Sequence, residues 1–253
     1  GGDVFVVDMD FTSTGTISLG SATTVTNGID FAGSDGTLLV GAGVSIAGAI
    51  NNTGAAGGNV TFAGSSNVTG SLGAANVLGT LTLNGAATTA AVTGSIRADT
   101  LNLNGNSLTA STTFTLAGGA EIINATITSA TANGKVTATG NAIIPATTTL
   151  NITVTATDFI ASGTQFTIID GLNGGGLVAD IATITDNSAQ LSFTQVTTNN
   201  DDLIITASRS VTYTTTVPAG STASAAATTL TALNDAGATG DLGTVLAGLD
   251  GLL

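Results

Sequence analysis

Chemistry needs nucleophiles, bases or well-placed charges, and this sequence supplies few of them. It has no His and no Cys, which removes the usual nucleophile–base pairs and most zinc or iron sites. Its only cations are Arg97, Lys135 and Arg209. A Ser–Lys dyad would have to use Lys135, and a lone lysine beside Gly134 reads as a solvated turn residue. Hydrolysis by paired carboxylates requires two acids held a set distance apart. Asp201 and Asp202 are direct neighbours beside Asn199-Asn200, a setting that reads as a solvated turn. Arg97 and Asp99 stand two apart in a strand pattern, so they share a face. A β-helical lyase uses such a pair together with calcium; a surface salt bridge is the plainer reading. No catalytic residue is assigned, and the chain is read as not an enzyme.

Calcium is the one cofactor that the acidic residues invite. Asp3, Asp8 and Asp10 cluster near the start, and Asp30 and Asp35 flank a Gly-rich turn. Hard cations take several convergent carboxylates and carbonyls. The Gly-Gly-x-Gly-x-Asp nonapeptide is absent, because Gly174-Gly175-Gly176 with Asp180 does not fit its spacing. No cofactor is therefore assigned, and a Ca2+ ligand set stays open. Gly41-Ala42-Gly43 lacks the Lys-Ser/Thr of a phosphate loop. Thr-x-Thr pairs recur at Thr12/Thr14/Thr16, Thr126/Thr128, Thr137/Thr139, Thr153/Thr155/Thr157 and Thr212/Thr214/Thr216. Regular Thr arrays order water in ice-binding solenoids. Here the sequence spacing is irregular, and ordinary β-propensity accounts for the pairs.

The elements that carry these residues follow from composition and repeat. Charged residues make up 8% of the 253, against about 25% in ordinary soluble domains. Mean hydropathy is +0.48, which is the opposite of the disordered signature. The apolar residues are small, with no Trp and one Tyr. Small apolar residues alternating with Thr fit narrow, stacked β-coils. A net charge of −13 leaves no basic footprint for nucleic acid and disfavours anionic lipid. The absence of Cys suits export through an oxidising periplasm, where stray disulfides obstruct passage. Gly1-Gly2-Asp3 is no signal peptide, and residues 36–96, though uncharged, are too broken by Gly, Asn and Ser to span a membrane. If the protein is exported, its trafficking signals lie outside this sequence.

Three phrases align: Ala47-Gly48-Ala49-Ile50, Thr69-Gly70-Ser71-Leu72 and Thr93-Gly94-Ser95-Ile96. Each precedes a short strand ending in Gly, of which Leu81-Thr82-Leu83-Asn84-Gly85 and Leu101-Asn102-Leu103-Asn104-Gly105 are the clearest. The glycines Gly28, Gly48, Gly70 and Gly94 recur at intervals of 20, 22 and 24. That period is one turn of a solenoid. Alternating Leu-x-Leu points one face inward, and Asn-Gly supplies a corner with positive φ. Recurring Asn and Thr are expected to form ladders between turns. Paired hairpins of a β-sandwich would use the same turn chemistry and remain the competing fold.

The expected fold is all-β, a right-handed parallel β-helix (solenoid) with a β-rich C-terminal capping module and a short helical tail. Residues 1–144 are read as solenoid repeats. Residues 145–217 are read as the cap, where strands lengthen around Leu150, Phe166, Phe193 and Ile205 and hairpin loops fall at 171–176 and 197–202. Residues 218–253 are read as a helical tail: 221–234 is Ala/Thr/Leu-rich, and Asp241 precedes Leu242, Val245, Leu246 and Leu249 on one helical face.

Several runs of the second module resemble the C-terminal passenger region of bacterial autotransporters (type V secretion). They are Thr149-Leu150-Asn151-Ile152-Thr153-Val154, Gly163-Thr164-Gln165-Phe166-Thr167-Ile168-Ile169-Asp170-Gly171, Leu191-Ser192-Phe193-Thr194 and Asp202-Leu203-Ile204-Ile205-Thr206-Ala207-Ser208-Arg209. The Gly/Thr/Asn-rich repeats before them look like those of rickettsial outer-membrane protein B and its relatives, which are surface-layer proteins and adhesins. The resemblance implies an autochaperone-like cap on a β-helix, a place on the outer membrane or cell surface of a secreted bacterial protein, and a structural or adhesive role. Its implied partners are host or neighbouring-cell surface molecules, or copies of itself. Membrane attachment would come only through a C-terminal β-barrel, which this sequence does not contain. No protease signature is present to carry over. A self-assembling surface-layer or filament protein and a β-helical polysaccharide-active enzyme are the alternatives.

Overall fold

A computed structural model describes residues 4–209 and 220–250, apart from 22, 55–56, 86–87, 157, 173–176, 182, 189, 197–200 and 238–239. Alternation sets the strands. In Leu78–Leu83 the side chains of Leu81 and Leu83 are fully buried, while Thr82 between them faces outward. The strands fall on three ladders. The first runs through Val4–Val6, Thr23–Val25, Ser45–Ile46, Ser66–Val68, Thr89–Val92, Ser107–Ala110, Lys135–Ala138 and Gln165–Gly171, each pair parallel. The second runs through Thr16–Leu19, Thr37–Val40, Asn59–Phe62, Leu78–Leu83, Ile96–Asn102, Ile122–Ser129, Thr149–Val154 and Thr183–Asp186, also parallel. The third starts with Met9–Asp10, Gly28–Asp30 and Ala49–Asn51. It continues through bridges at Leu72 and Ile96 to Phe114–Leu116, Ala142–Ile144 and Leu177–Val178.

The chain therefore visits three ladders in turn and returns one rung further along. The molecule is mostly β, and its parallel sheets are those that a β-helix requires. On the second ladder the inward positions Ile17, Leu38, Val60, Leu81, Leu101 and Ile123 pair in succession, one circuit apart. Outward residues of the same ladder show how the circuits lengthen. The separations of 20 from Thr82 to Asn102 and 22 from Asn102 to Asn124 widen to 27 at Asn151 and 34 at Thr185. Side chains from all three ladders fill a single core running between them.

The repeated glycines explain how the circuits stack. Gly48, Gly70 and Gly94 sit at the corner between the first and third ladders. A Cβ on Gly70 would lie 2.4 Å from the Gly48 carbonyl carbon and oxygen, and one on Gly94 2.7 Å from the Gly70 oxygen. Backbone passes directly over backbone there, and no side chain fits between. The Asn-Gly corners take the positive φ expected of them, with Asn104 at 46° and Gly105 at 75°. Threonines help to close the same edge: Thr69 Oγ1 donates to the Ala47 carbonyl at 2.6 Å, one circuit back.

Pairing stays parallel across residue 145. The change of texture expected there coincides with longer circuits; apart from the short antiparallel return of Ala132–Asn133 onto Ile122–Ser129, the departure from parallel pairing comes later. Leu203–Arg209 adds antiparallel to Gln165–Gly171, and Leu191–Val196 then adds antiparallel to it. This hairpin buries Leu191, Phe193, Leu203 and Ile205, with Phe193 edge-on to Phe166 at 6.4 Å between ring centres. Of the two expected hairpin loops, 197–202 joins this antiparallel pair, whereas 171–176 does not close a hairpin, because Leu177–Val178 after it pairs parallel with Ala142–Ile144. Residues 173–176 and 197–200 themselves lie outside the described residues. Two helices follow, Thr222–Asp235 and Gly240–Asp250. Ser221 caps the first, its Oγ accepting from the Ser224 N–H at 3.1 Å. In the second, Leu246 is fully buried but Val245 is 54% exposed, so the expected apolar face does not include Val245. Neither described helix is long and apolar enough to cross a membrane.

Candidate functional site

Two ionisable groups whose pKa values the fold shifts, Asp99 and Glu121, lie where Ile96–Asn102 rounds the corner from the third ladder to the second. Ala98 points into the core, and Arg97 and Asp99 point out. They share a face, as the spacing requires, but they are not partners. Arg97 Nη1 donates to the Ala74 carbonyl at 3.4 Å, whereas Asp99 faces Glu121 of the next circuit. Asp99 Oδ1 is buried with no hydrogen-bond partner. Glu121 is buried but well supplied: Thr147 Oγ1 donates to it at 2.8 Å and the Gly119 N–H at 2.9 Å.

The two carboxyls shift in opposite directions. Burial first, and the Glu121 charge second, push the Asp99 pKa above its ordinary value. Burial also acts to raise Glu121, but hydrogen bonds from Thr147 and from the N–H groups of Gly119, Glu121 and Gly118 outweigh it, and its pKa falls. An acid whose pKa is raised by folding opposes the folded state above that pKa. The penalty fades as the pH drops toward the unfolded value. Asp99→Asn is therefore expected to raise the melting temperature at neutral pH. The gain should shrink as the pH falls from Asp99's raised pKa to its ordinary value of 3.8. Melting curves of both proteins across that range check this; an equal difference at every pH would refute it.

The other candidate groups are placed differently from their sequence reading. Lys135 is not a solvated turn residue. It opens the strand Lys135–Ala138 and pairs with Asp170 on the adjacent rung at 2.5 Å, both side chains about two-thirds covered. Asp201 is buried rather than solvated, and Asp202 Oδ1 accepts from the Gly171 N–H at 3.0 Å. Among the calcium candidates, Asp30 already accepts from Thr53 Oγ1, the Thr53 N–H and the Ala32 N–H. Those bonds outweigh the effect of burial and hold its pKa below the ordinary value. Asp8 accepts from the Met9 N–H at 3.0 Å. Among the described residues no three carboxylates converge. Asp3 and Gly174-Gly175-Gly176 lie outside the described residues, as do Thr157 and Thr212/Thr214/Thr216.

A larger feature is hidden in the sequence. On the outer side of the second ladder, register places Thr16, Thr37, Asn59, Thr80, Thr100, Ile122, Thr149 and Thr183 in one column. A second column, two residues on, begins Ser18, Leu39, Thr61, Thr82 and ends Asn102, Asn124, Asn151, Thr185. All sixteen positions are exposed or half-buried, and none is charged. The expected ladder bonds are present. Asn102 Nδ2 donates to Thr82 Oγ1 at 3.0 Å, Asn124 to Asn102 at 2.6 Å, and Asn151 to Asn124 at 2.8 Å. Thr185 Oγ1 then donates to Asn151 Oδ1 at 2.7 Å. Threonines irregularly spaced in sequence become regular in space, because the corners absorb the difference in circuit length. Only register reveals it.

No protein-family model matches the chain, and neither the curated proteins nor the solved structures contain a significant match.

Proposed function

We propose that this chain is a right-handed β-helical rod displayed on a bacterial cell surface, the structural or adhesive passenger of a secreted autotransporter. The observation that carries this reading is the stack of eight rungs on each of two parallel ladders, with a nearly constant period for most of its length. Parallel strands joined by crossovers in one sheet are right-handed in about 98% of cases, which favours that hand here. The terminal antiparallel hairpin supports a capping role, since it covers inward positions that another rung would otherwise have to cover. The composition adds to this: no Cys, three cations and a strongly acidic balance.

The mechanism is geometric. A stack held by ladder bonds and one continuous core is stiff, presents its flat faces and corner loops outward, and offers few unpaired segments to proteases. The proposal assigns no reaction to any residue. Antibodies raised against the chain should label intact cells of the source bacterium, and surface proteolysis should remove that label. Labelling that appears only after permeabilisation would overturn the surface location. The uncharged outer face of the second ladder favours a further role in assembly.

A further inference from the structure

The outer face of the second ladder, mostly Thr and Asn with Leu39 and Ile122 among them, carries no charge at any of its sixteen positions. We propose that this face packs against the same face of a second copy of the chain, the two rods lying side by side. The inference rests on the rod reading above and names the surface through which rods would meet.

Three observations carry it. The first is charge. The chain has a net charge of −13, so two copies repel on approach. The sixteen positions of the double column carry none of that charge. The nearest acids in sequence border it: Asp35, Asp99 and Glu121 precede the first column by one or two residues, and Asp186 follows Thr185 at the end of the second. This face is where like molecules meet at least cost.

The second is periodicity. Rungs of a parallel sheet repeat about every 4.8 Å, so this face is commensurate with another copy of itself at every step. A polysaccharide would want aromatic platforms and a nucleic acid would want cations, and the double column has neither.

The third is hydrogen bonding. Burying free amides is costly. Here Asn102, Asn124 and Asn151 already bond to one another along the ladder, so covering them leaves fewer groups unsatisfied. Mated sheets with stacked Asn ladders use the same economy.

The size of the face sets the strength. Seven steps of about 4.8 Å and a width of about 14 Å give roughly 480 Å² per copy, or about 950 Å² in total, near the lower limit for a specific interface. Association of a pair is therefore weak and reversible. It should strengthen with salt, because screening relieves the repulsion between the acidic borders.

Sedimentation velocity and small-angle scattering on the full chain, over a concentration series at low and high salt, test this. Two double variants add the same charge on different faces. Thr80→Glu with Thr100→Glu charges the proposed face; Asn67→Glu with Thr109→Glu charges the outer side of the first ladder. All four positions face outward, and circular dichroism verifies that each variant keeps its sheet content. The expected result is salt-promoted association of the wild type, weakened by about tenfold or more in the first variant, since like charges placed directly opposite repel. The second variant should associate as the wild type does. Equal weakening in both variants would overturn the assignment, as would a wild type that stays monomeric throughout. A monomeric chain that facets growing ice would also overturn it, by giving the face to ordered water. The scattering cross-section at infinite dilution reads the rod separately: a compact monomer would defeat the rod reading itself, whereas a monomeric rod would defeat only this inference.

Discussion

Gly70→Ala is expected to destabilise the protein by roughly 3 kcal/mol, at the upper end of the usual cost of overpacking a closed site. Alanine ordinarily stabilises a chain relative to glycine by restricting the unfolded state, by about 0.4–1 kcal/mol where the backbone tolerates it. Gly70 does not take a positive φ, so conformation alone would allow the change. Space forbids it. The new methyl would lie 2.4 Å from the carbonyl carbon and oxygen of Gly48, and those atoms belong to a backbone fixed by ladder bonds on both sides. Relief would require lifting one circuit off its neighbour. Gly20→Ala is the matched control. A Cβ there meets nothing within 4 Å and φ is not positive, so that variant should unfold at the same urea concentration or slightly higher. Urea unfolding of the two variants checks the pair. Equal midpoints would mean that the corner yields more easily than its contacts imply.

Phe62→Ala should cost about 3–5 kcal/mol, the usual range for removing a large buried ring. Phe62 is fully buried and sits on the second ladder between Val40 and Leu83. Each circuit contributes only a few inward side chains, and the ladder bonds hold the neighbouring circuits at fixed spacing. The cavity therefore has little freedom to collapse. Because each circuit contacts chiefly the circuits before and after it, the loss should be felt locally. Hydrogen exchange should show protection falling first around Val40, Phe62 and Leu83, with rungs near Leu150 affected least. A uniform fall along the chain would instead indicate a single cooperative unit.

What is legible in the sequence is whatever a short repeat can encode. The glycine period, the Leu-x-Leu alternation and the Asn-Gly corners each act within a few residues, and each appears where the sequence puts it. Gly48, Gly70 and Gly94 recur because the same steric problem recurs at every circuit. What stays hidden depends on pairing between residues far apart. The Thr and Asn columns need register. The influence of the Glu121 charge on Asp99, from the following circuit, requires knowing which corner follows which. Lys135 resembles a turn residue for the same reason: its partner Asp170 lies 35 residues away, across one of the long circuits. The hairpin starts later than the sequence texture implies. Longer strands and bulkier side chains mark longer circuits, and the antiparallel switch is legible only in the hairpin loop read at 197–202, which joins Leu191–Val196 to its antiparallel partner Leu203–Arg209.

Those unequal circuits have an evolutionary consequence. The circuit from Val92 to Ala110 uses little more than half the chain of the circuit from Leu150 to Ile184, yet the paired strands keep their register. Insertions and deletions at the corners are thus nearly invisible to the core, whereas a single residue inserted within Leu78–Leu83 would turn its inward leucines to solvent. A lineage bearing this fold is free to rewrite its outline at the corners, circuit by circuit, while selection holds its strands almost still.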